Sequence, residues 1–226
     1  QLPCISGKDS MKNDAILDGK KISVPPTLLF TLMGNHEDVT KAVSSDFKDS
    51  GDLIYLLGQT HQELGASELV VMLQSETGGG IGGQVPQIDA KRNLAMYRSL
   101  TSAMNDKLVA SAHDCSDGGL AIAFTESCFG ADVGATIDVS QIMSSSDNLD
   151  KWGVLYGESL GRIIVSVKPN NSERFENVMK DHSIIKLGVV GDNDLIKITN
   201  GNDVLLQSSM KSLKKSWQGT LNGGSQ

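Results

Sequence analysis

The chain has 226 residues, and its 20 lysines and arginines against 27 aspartates and glutamates give a formal net charge of −7. This charge disfavours a surface that binds the phosphate backbone of nucleic acid. The longest apolar stretches, such as residues 24–33, are far shorter than the ~20 residues needed to cross a bilayer. We therefore expect a globular chain with no membrane segment, long enough for one domain and part of another.

The cysteines indicate the compartment. Cys4, Cys115 and Cys128 are odd in number, and their spacing fits neither a disulfide framework nor a paired metal site. No basic stretch followed by an apolar run opens the chain, so no secretory signal is predicted. We expect a cytoplasmic protein. Because residue 1 is Gln and the chain opens within what looks like a strand and loop, we interpret it as a piece of a longer polypeptide.

The N-terminal part, residues 1–36, predicts extended segments around a polar turn, at residues 2–6, 12–21 and 22–33. The Pro25-Pro26 pair suits a sheet edge or the start of a strand, because proline cannot donate to a central ladder. The hydrophilic stretch 35–52 follows and is interpreted as the boundary between this fragment and a complete domain.

After residue 52, strands and helices interleave. The predicted strands are 53–57, 107–112, 134–139, 162–167, 184–190 and a hairpin of 195–199 with 204–207 that turns at Asn200-Gly201. The predicted helices are one capped by Asp89 with a core stripe of Leu94, Tyr97, Leu100, Met104 and Leu108, one over 118–129 and one over 173–182. This order predicts an α/β or α+β layered domain, with a mixed sheet packed with helices. The tail 208–226 has a composition typical of a linker.

The segment Ser6-Gly7-Lys8-Asp9-Ser10 can bind a nucleotide. Glycine allows the backbone to approach an anion, lysine supplies a positive charge, and aspartate with serine offers the oxygen ligands that Mg²⁺ prefers. It is not a Walker loop, because Asp9 follows the lysine where Ser or Thr is required. The alternative is a polar β-turn.

A second segment runs from a strand into a helix, Ala112-His-Asp-Cys-Ser-Asp-Gly-Gly-Leu120. Ser116 or Asp117 can cap the helix, and Gly118 with Gly119 leaves the first-turn amides open to a phosphate. The acidic residues repel a bare anion, so the alternative is plain capping of a tightly packed helix start. His113 next to Asp114 is weak evidence for an acid/base pair, because neighbours on a strand point to opposite faces, and Cys115 is weak evidence for a thiol nucleophile.

Three further segments are weaker signals. In residues 157–162, Glu158 and Arg162 can form an ion pair, or the arginine can bind a phosphate or carboxylate of a substrate. The glycines of residues 78–83 fit a dinucleotide fingerprint by letter, but Gln84-Val-Pro follows where the helix should begin, which favours a mobile loop or lid. Residues 65–67 suit either a ligand that approaches the backbone or a helix boundary.

Taken in order, residues 5–13, 25–29, 57–68, 112–120 and 157–162 resemble the second of the two homologous halves of phosphoribosylformylglycinamidine synthases. The resemblance covers nearly the whole chain. The wider superfamily includes aminoimidazole ribonucleotide synthetases and hydrogenase-maturation proteins. The resemblance implies that residues 1–36 end an N-terminal ATP-binding domain, that residues 37–207 form the C-terminal synthetase-like domain, and that the tail leads toward a glutaminase.

The implied activity is that of a purine-biosynthesis ligase. With ATP and Mg²⁺, the family converts formylglycinamide ribonucleotide and glutamine-derived ammonia to formylglycinamidine ribonucleotide. The implied partners are this substrate, a glutaminase domain or subunit and the remaining halves of the enzyme. The resemblance also leaves open a non-catalytic nucleotide-binding or structural half, or another ATP-dependent synthetase or kinase of the superfamily.

The resemblance also implies site residues, although no catalytic residue is assigned. Asp9 is implied as the metal ligand, and the implied contacts of ATP or substrate are Gly7, Lys8, Ser10, Ser116, Asp117, Gly118, Gly119, Glu158 and Ser159. The family's acid/base histidine lies in earlier domains, and no cysteine of this chain lies in a glutaminase elbow. We therefore expect no turnover from the isolated chain.

Overall fold

A computed structural model of the chain describes residues 6–7, 14–23 and 29–219. The chain divides into two compact units, residues 1–37 and residues 38–226. Within the described ranges, no helix is both long and apolar enough to cross a bilayer.

The first unit contains a short antiparallel hairpin. Strand β1 (Ala15–Leu17) pairs with β2 (Lys20–Ile22) through the turn Asp18-Gly19. Both turn residues have positive φ, 50° and 72°, as the tight two-residue turns that match the twist of a hairpin require. The extended segment predicted at 22–33 is strand only at its start, since residues 29–33 form no regular element. The predicted strand at 2–6 lies outside the described residues, apart from Ser6.

The second unit is built on a mixed sheet. Its strands are β3 (Leu53–Leu57), β4 (Ser111–Asp114), β5 (Ala135–Asp138), β6 (Ile163–Val167), β7 (Ile184–Val190), β8 (Leu195–Asn200) and β9 (Asp203–Ser209). They form a seven-stranded sheet in the order β4-β6-β3-β7-β5-β8-β9. Neighbouring strands are antiparallel except β5 and β8, which are parallel.

Helices cover the sheet. They are α1 (Glu68–Thr77), α2 (Ala90–Asn105), α3 (Gly119–Ser127), α4 (Ser140–Met143), α5 (Lys151–Tyr156), α6 (Ser172–Met179) and α7 (Met210–Gly219), with 3-10 turns at Val39–Lys41 and Pro169–Asn171. The predicted fold class, a mixed sheet packed with helices, is confirmed. The predicted strand at 107–112 begins later, at Ser111, and neither α1 nor α5 was predicted.

The central strand β3 divides the core in two, because successive side chains of a strand point to opposite faces. Ile54 and Leu56 pack into a cluster with residues of α3, α5 and α7. Tyr55 and Leu57 pack on the other face with residues of α2 and α6. Helices therefore lie on both faces, which explains why β3 reads as a continuous apolar run.

Helix α2 buries a different face from the predicted one. Asp89 caps it as predicted, accepting a hydrogen bond from the Arg92 amide at 3.0 Å. Its buried residues, however, are Asn93, Met96, Leu100 and Ala103, while Leu94 and Tyr97 are 50% and 39% exposed. Both stripes contain Leu100 and follow helical spacing, so the pattern alone did not choose between them. The small Ala103 and the polar Asn93, whose side chain packs against Gly161, turn the helix to the second stripe.

The tail from residue 208 differs from the predicted linker. Residues 208–209 complete β9, and α7 follows with Met210 fully buried. The Trp217 ring lies 5.5 Å from the Phe129 ring. Lys214 donates to the Phe129 carbonyl at 2.7 Å and to the Asp132 carboxylate at 2.6 Å. The amphipathic pattern of this segment therefore belongs to a helix that packs on the domain.

Candidate functional site

The second unit contains a cavity of about 530 Å³ at the carboxyl end of β4. We call it the main cavity. Its lining residues are Pro86, Tyr97, Asp114, Cys115, Ser116, Asp117, Glu158, Leu160, Gly161, Arg162 and Ile163. Two segments that the sequence singled out, 112–120 and 157–162, therefore meet here although they are some forty residues apart in the chain.

The loop between β4 and α3 turns sharply at its glycines. The Ser116 hydroxyl donates to the Asp114 carboxylate, and the Gly119 amide donates to the Ser116 carbonyl at 3.0 Å. Gly118 and Gly119 have φ of 74° and 67°, in the left-handed region that glycine tolerates. A Cβ at Gly119 would lie 2.5 Å from the Gly157 carbonyl oxygen. The glycines thus let the start of α3 pack directly against the end of α5.

Glu158 caps this helix start from a distant part of the chain. Its Oε1 accepts from the Gly118 amide at 2.9 Å and from the Glu68 amide, at the start of α1, also at 2.9 Å. The positive ends of both helices favour this carboxylate. The predicted caps, Ser116 and Asp117, do not fill this role, since α3 has no hydrogen bond from a side chain at its N-cap, Gly118. The Gly118 amide, expected to face a phosphate, is instead bound to Glu158.

Arg162 is a buried lining residue of the main cavity that bonds to several neighbouring backbone groups. It is 1% exposed, and its guanidinium donates to the carbonyls of Gly157 and Ser159 and to the Thr60 hydroxyl at 3.2 Å. Burial lowers the pKa of Arg162, while the neighbouring Cys115, Glu63 and Glu158 act in the opposite direction. The ion pair predicted between Glu158 and Arg162 is therefore wrong: the arginine donates to neutral oxygens and holds the 157–162 loop in shape.

Ser159 is also engaged within the protein. It is 1% exposed, and its hydroxyl accepts from the His61 amide at 3.0 Å. This bond ties the 157–162 loop to the small-residue loop that precedes α1. Ser67 in that loop accepts from the Val70 amide and caps α1, so the alternative of a helix boundary holds for residues 65–67.

The structure of the glycine-rich loop, residues 78–83, agrees with the prediction that it is not a dinucleotide-binding loop. Gly78 ends α1 in the left-handed conformation, so the loop follows a helix instead of a strand. Gly83 packs closely against Gly65, and the Gly65 amide donates to the Gln84 carbonyl at 2.9 Å.

The accessible lining of the main cavity combines acidic and apolar side chains. Asp114, Ser116 and Asp117 are exposed, and Glu158 is half-buried. Tyr97, Leu160 and the half-buried Pro86 supply apolar surface. Carboxylates accept hydrogen bonds from hydroxyl and N–H groups, so this lining suits a ligand rich in such donors more than it suits a bare phosphate.

Neither described cysteine of the second unit is a candidate nucleophile. Cys115 and Cys128 are buried free cysteines. Burial raises the pKa of the Cys115 thiol to about 11 and that of Cys128 to about 12. Neither is a thiolate at neutral pH, which a nucleophile requires. His113 lies beside Asp114 but directs Nε2 toward Glu126, 3.3 Å from its Oε2.

The nucleotide segment of the first unit is largely outside the described residues. Lys8, Asp9 and Ser10 fall there, while Gly7 is exposed and a Cβ built on it meets no atom within 4 Å. Within the described ranges, no group of three or more His, Cys, Asp or Glu side chains is arranged to hold a metal ion.

Sequence reasoning missed several lining residues of the main cavity. Tyr97 was assigned to the core, Asp114 was considered only as a weak acid/base partner of His113, and Pro86 and Leu160 were assigned no role. The proximity of Pro86 and Tyr97 to the two predicted loops depends on long-range packing, which leaves no local signal in the sequence.

The family described as "AIR synthase related protein, C-terminal domain" matches residues 49–199. The chain belongs to this family. The match spans the sheet from β3 through β8, together with both loops of the main cavity.

Solved structures share this fold. Phosphoribosylformylglycinamidine synthase II from Thermotoga maritima has a TM-score of 0.65 and 17% identity over 77% of this chain and 28% of that one. A structure described as T. maritima PurL complexed with FGAR has a TM-score of 0.67 and 19% identity over 77% and 30% of the two chains. A HypE–HypF complex has a TM-score of 0.52 and 18% identity over 74% and 54%. The chain thus spans less than a third of the synthases it matches.

Proposed function

We propose that this chain is part of a phosphoribosylformylglycinamidine synthase, the ATP-dependent ligase of purine biosynthesis that forms formylglycinamidine ribonucleotide. The observation that carries the proposal is the main cavity, in which the segments 112–120 and 157–162 meet in an AIR synthase-related domain. The T. maritima protein crystallised with FGAR supports the substrate, since it shares the fold. We assign the protein to the cytoplasm, in keeping with its buried free cysteines.

In this proposal the main cavity binds the formylglycinamide ribonucleotide. Asp114, Asp117 and Ser116 accept hydrogen bonds from its hydroxyl and amide groups, while Tyr97 and Leu160 cover its apolar surface. Glu158, Ser159 and the glycines keep the cavity in shape through the contacts described above. For Gly118, Gly119, Glu158 and Ser159 we propose this positioning role in place of the contact with ATP or substrate that the resemblance implies.

We assign the binding of ATP to the first unit. We propose that Asp9 holds Mg²⁺ and that Gly7, Lys8 and Ser10 contact ATP, as the resemblance implies; the metal-bound nucleotide supplies the phosphoryl group that activates the substrate amide. Residues 1–36 are then the end of an ATP-binding domain and residues 37–207 the synthetase-like domain. Its partners are the other parts of the enzyme and a glutaminase domain or subunit, which provides ammonia.

A second candidate is a structural half that completes the enzyme without contributing to turnover. Two groups that were expected to contact a ligand support this candidate, because they already form hydrogen bonds within the chain. The Gly118 amide donates to Glu158, and the Ser159 hydroxyl accepts from the His61 amide.

Kinetics of the complete synthase separate the two candidates. We expect Asp117→Asn to lower kcat/KM for formylglycinamide ribonucleotide by about 10- to 100-fold, because a hydrogen bond to a charged group contributes ~1.5–3 kcal/mol. The matched control is Asp147→Asn, which alters an exposed aspartate that does not line the main cavity. Ammonia replaces glutamine in the assay, so the glutaminase does not limit the rate. Unchanged kcat/KM in Asp117→Asn, with lowered thermal stability, would establish the structural candidate instead.

A further inference from the structure

A second, smaller cavity lies beside the loops that precede α2. It has a volume of about 240 Å³, and its polar lining comes from His61, Glu63, Gln84, Gln87, Asp89 and Arg92. It shares no lining residue with the main cavity. We call it the Glu63 cavity.

Glu63 has an unsatisfied carboxylate oxygen. The residue is 2% exposed, and its Oε1 accepts from the Gln87 amide at 2.9 Å. Among the residues that the structure describes, Oε2 of Glu63 is the buried side-chain atom without a hydrogen-bond partner. A buried acceptor left unpaired costs ~1–3 kcal/mol, and more when it is charged. Glu63, a lining residue of the cavity, therefore keeps one unused hydrogen-bond acceptor.

The charges around the cavity favour a positively charged ligand. Glu63 and Asp89 are carboxylates, and Arg92 is the one guanidinium in the lining. Arg92 is already occupied in part, since its Nη1 donates to the Gln59 side chain at 2.5 Å. Asp89 Oδ1 accepts from the Arg92 backbone amide at 3.0 Å. The lining itself carries one net negative charge, which disfavours phosphate and other anions, while the buried guanidinium of Arg162 also lies near Glu63 and offsets part of its charge.

A metal ion is a poor match for this lining. Divalent ions require several oxygen or nitrogen ligands in a defined geometry, and no group of three acidic, histidine or cysteine side chains is so arranged in the described part of the chain. An ammonium group, unlike a metal ion, carries its own N–H donors. It therefore needs only hydrogen-bond acceptors at suitable positions. A volume of about 240 Å³ also exceeds what one water molecule fills, ~30 Å³.

We propose that the Glu63 cavity binds a small primary ammonium ligand. One N–H of the ligand donates to Glu63 Oε2, and the charges of Glu63 and Asp89 compensate the positive charge. This site goes beyond the proposed function and does not depend on it. Glu63 also links it to the main cavity, because the Glu63 carbonyl accepts from the Glu158 amide at 3.2 Å.

The test is a titration of the ¹⁵N-labelled chain followed by NMR, with methylammonium chloride as the probe. Tetramethylammonium chloride and potassium chloride at equal ionic strength are the comparison salts, because both cations carry a positive charge and neither has an N–H donor. We expect the backbone amide of Gln87, which donates to Glu63, to shift with saturation for methylammonium alone. Equal shifts with the three salts, or no saturable shift, would overturn the proposal.

Variants test the role of the carboxylate. Glu63→Gln should weaken methylammonium binding by about tenfold or more, since it removes a charged acceptor. Glu76→Gln is the matched control, because Glu76 lies exposed in the last turn of α1 and should leave binding unchanged. Unaltered affinity in Glu63→Gln would exclude Glu63 as the acceptor. If that variant does not fold, the comparison of salts on the unmodified chain decides the question.

Discussion

Gly118 and Gly119 show how single residues shape the main cavity. Both lie in the left-handed region, and their small size lets the start of α3 contact the carbonyl of Gly157. The amide freed by this turn is bound to Glu158 Oε1, which also binds the start of α1. One carboxylate therefore joins two helices at the edge of the cavity. The sequence singled out these glycines, with a phosphate site or a tightly packed helix start as the alternatives, but gave no sign that the Gly118 amide donates to Glu158, about forty residues away.

Gly119→Ala tests this close approach. We expect a loss of more than ~2 kcal/mol in the free energy of unfolding, since the new Cβ would combine backbone strain with a contact of 2.5 Å to the Gly157 oxygen. Gly201→Ala is the matched control: its φ of +59° gives similar strain, but nothing lies within 4 Å of the new Cβ. Its expected cost is about 1 kcal/mol. Urea unfolding measures both, and equal losses would show that packing against Gly157 contributes nothing.

At the scale of elements, caps and turns were easier to predict than helix faces. Asp89 caps α2 and Asn200-Gly201 turns the last hairpin, as the sequence indicated, because both depend on local hydrogen bonds or φ preferences. The buried stripe of α2 was wrong in part, since two stripes of helical spacing overlap at Leu100. The composition of residues 208–226 predicted a linker, whereas α7 packs on the domain with Met210 fully buried.

Asp138 couples three elements and makes their stability depend on pH. Its Oδ1 accepts from the Ser140 amide at 2.9 Å, at the start of α4, and from the Gly201 amide at 3.0 Å, in the β8–β9 turn. These bonds, the one from Gly201 first, lower the pKa of Asp138 below its ordinary value of 3.8. A carboxyl whose pKa is lowered by folding stabilises the folded state above 3.8, and this contribution is lost as the pH falls through the lowered pKa.

Asp138→Asn should therefore be less stable than the unmodified chain at neutral pH. We expect the difference to shrink as the pH is lowered through 3.8 and below, because protonation removes the same charge from the original residue. Thermal unfolding followed by circular dichroism across this pH range measures it. Asp147→Asn, in an exposed loop, serves as the control. A difference that stays constant with pH would mean that the charge of Asp138 does not stabilise the fold.

At the scale of the whole molecule, the chain supplies only part of what the proposed reaction needs. It spans 28% to 30% of the T. maritima synthases that share its fold. Its main cavity offers acceptors for substrate but, within the described residues, no cluster that could hold the metal of a nucleotide. The proposed reaction therefore needs parts of the enzyme outside this chain, in addition to the main cavity and the nucleotide segment proposed at residues 7–10.

The isolated chain should accordingly show no ATP-dependent synthase activity. The reason is that ATP and substrate must be brought together in a fixed orientation, and the chain spans less than a third of the synthases whose fold it shares. An assay with formylglycinamide ribonucleotide, ammonia and Mg-ATP, measuring released phosphate, checks this expectation. Heat-inactivated chain gives the background rate. Turnover above that background would show that the chain alone assembles a complete active site.

The sequence by itself indicated most of the alternating strands and helices, the cap of α2, the turn of the last hairpin and the two loops that line the main cavity, because these depend on periodicity and on residues close together in the chain. Only the tertiary structure decided which face of α2 is buried, that Arg162 binds carbonyls instead of Glu158, and that Glu63 keeps one buried oxygen unpaired. Each of these depends on groups brought together from distant segments. Packing and burial join groups that are distant in the sequence, so no local pattern records them.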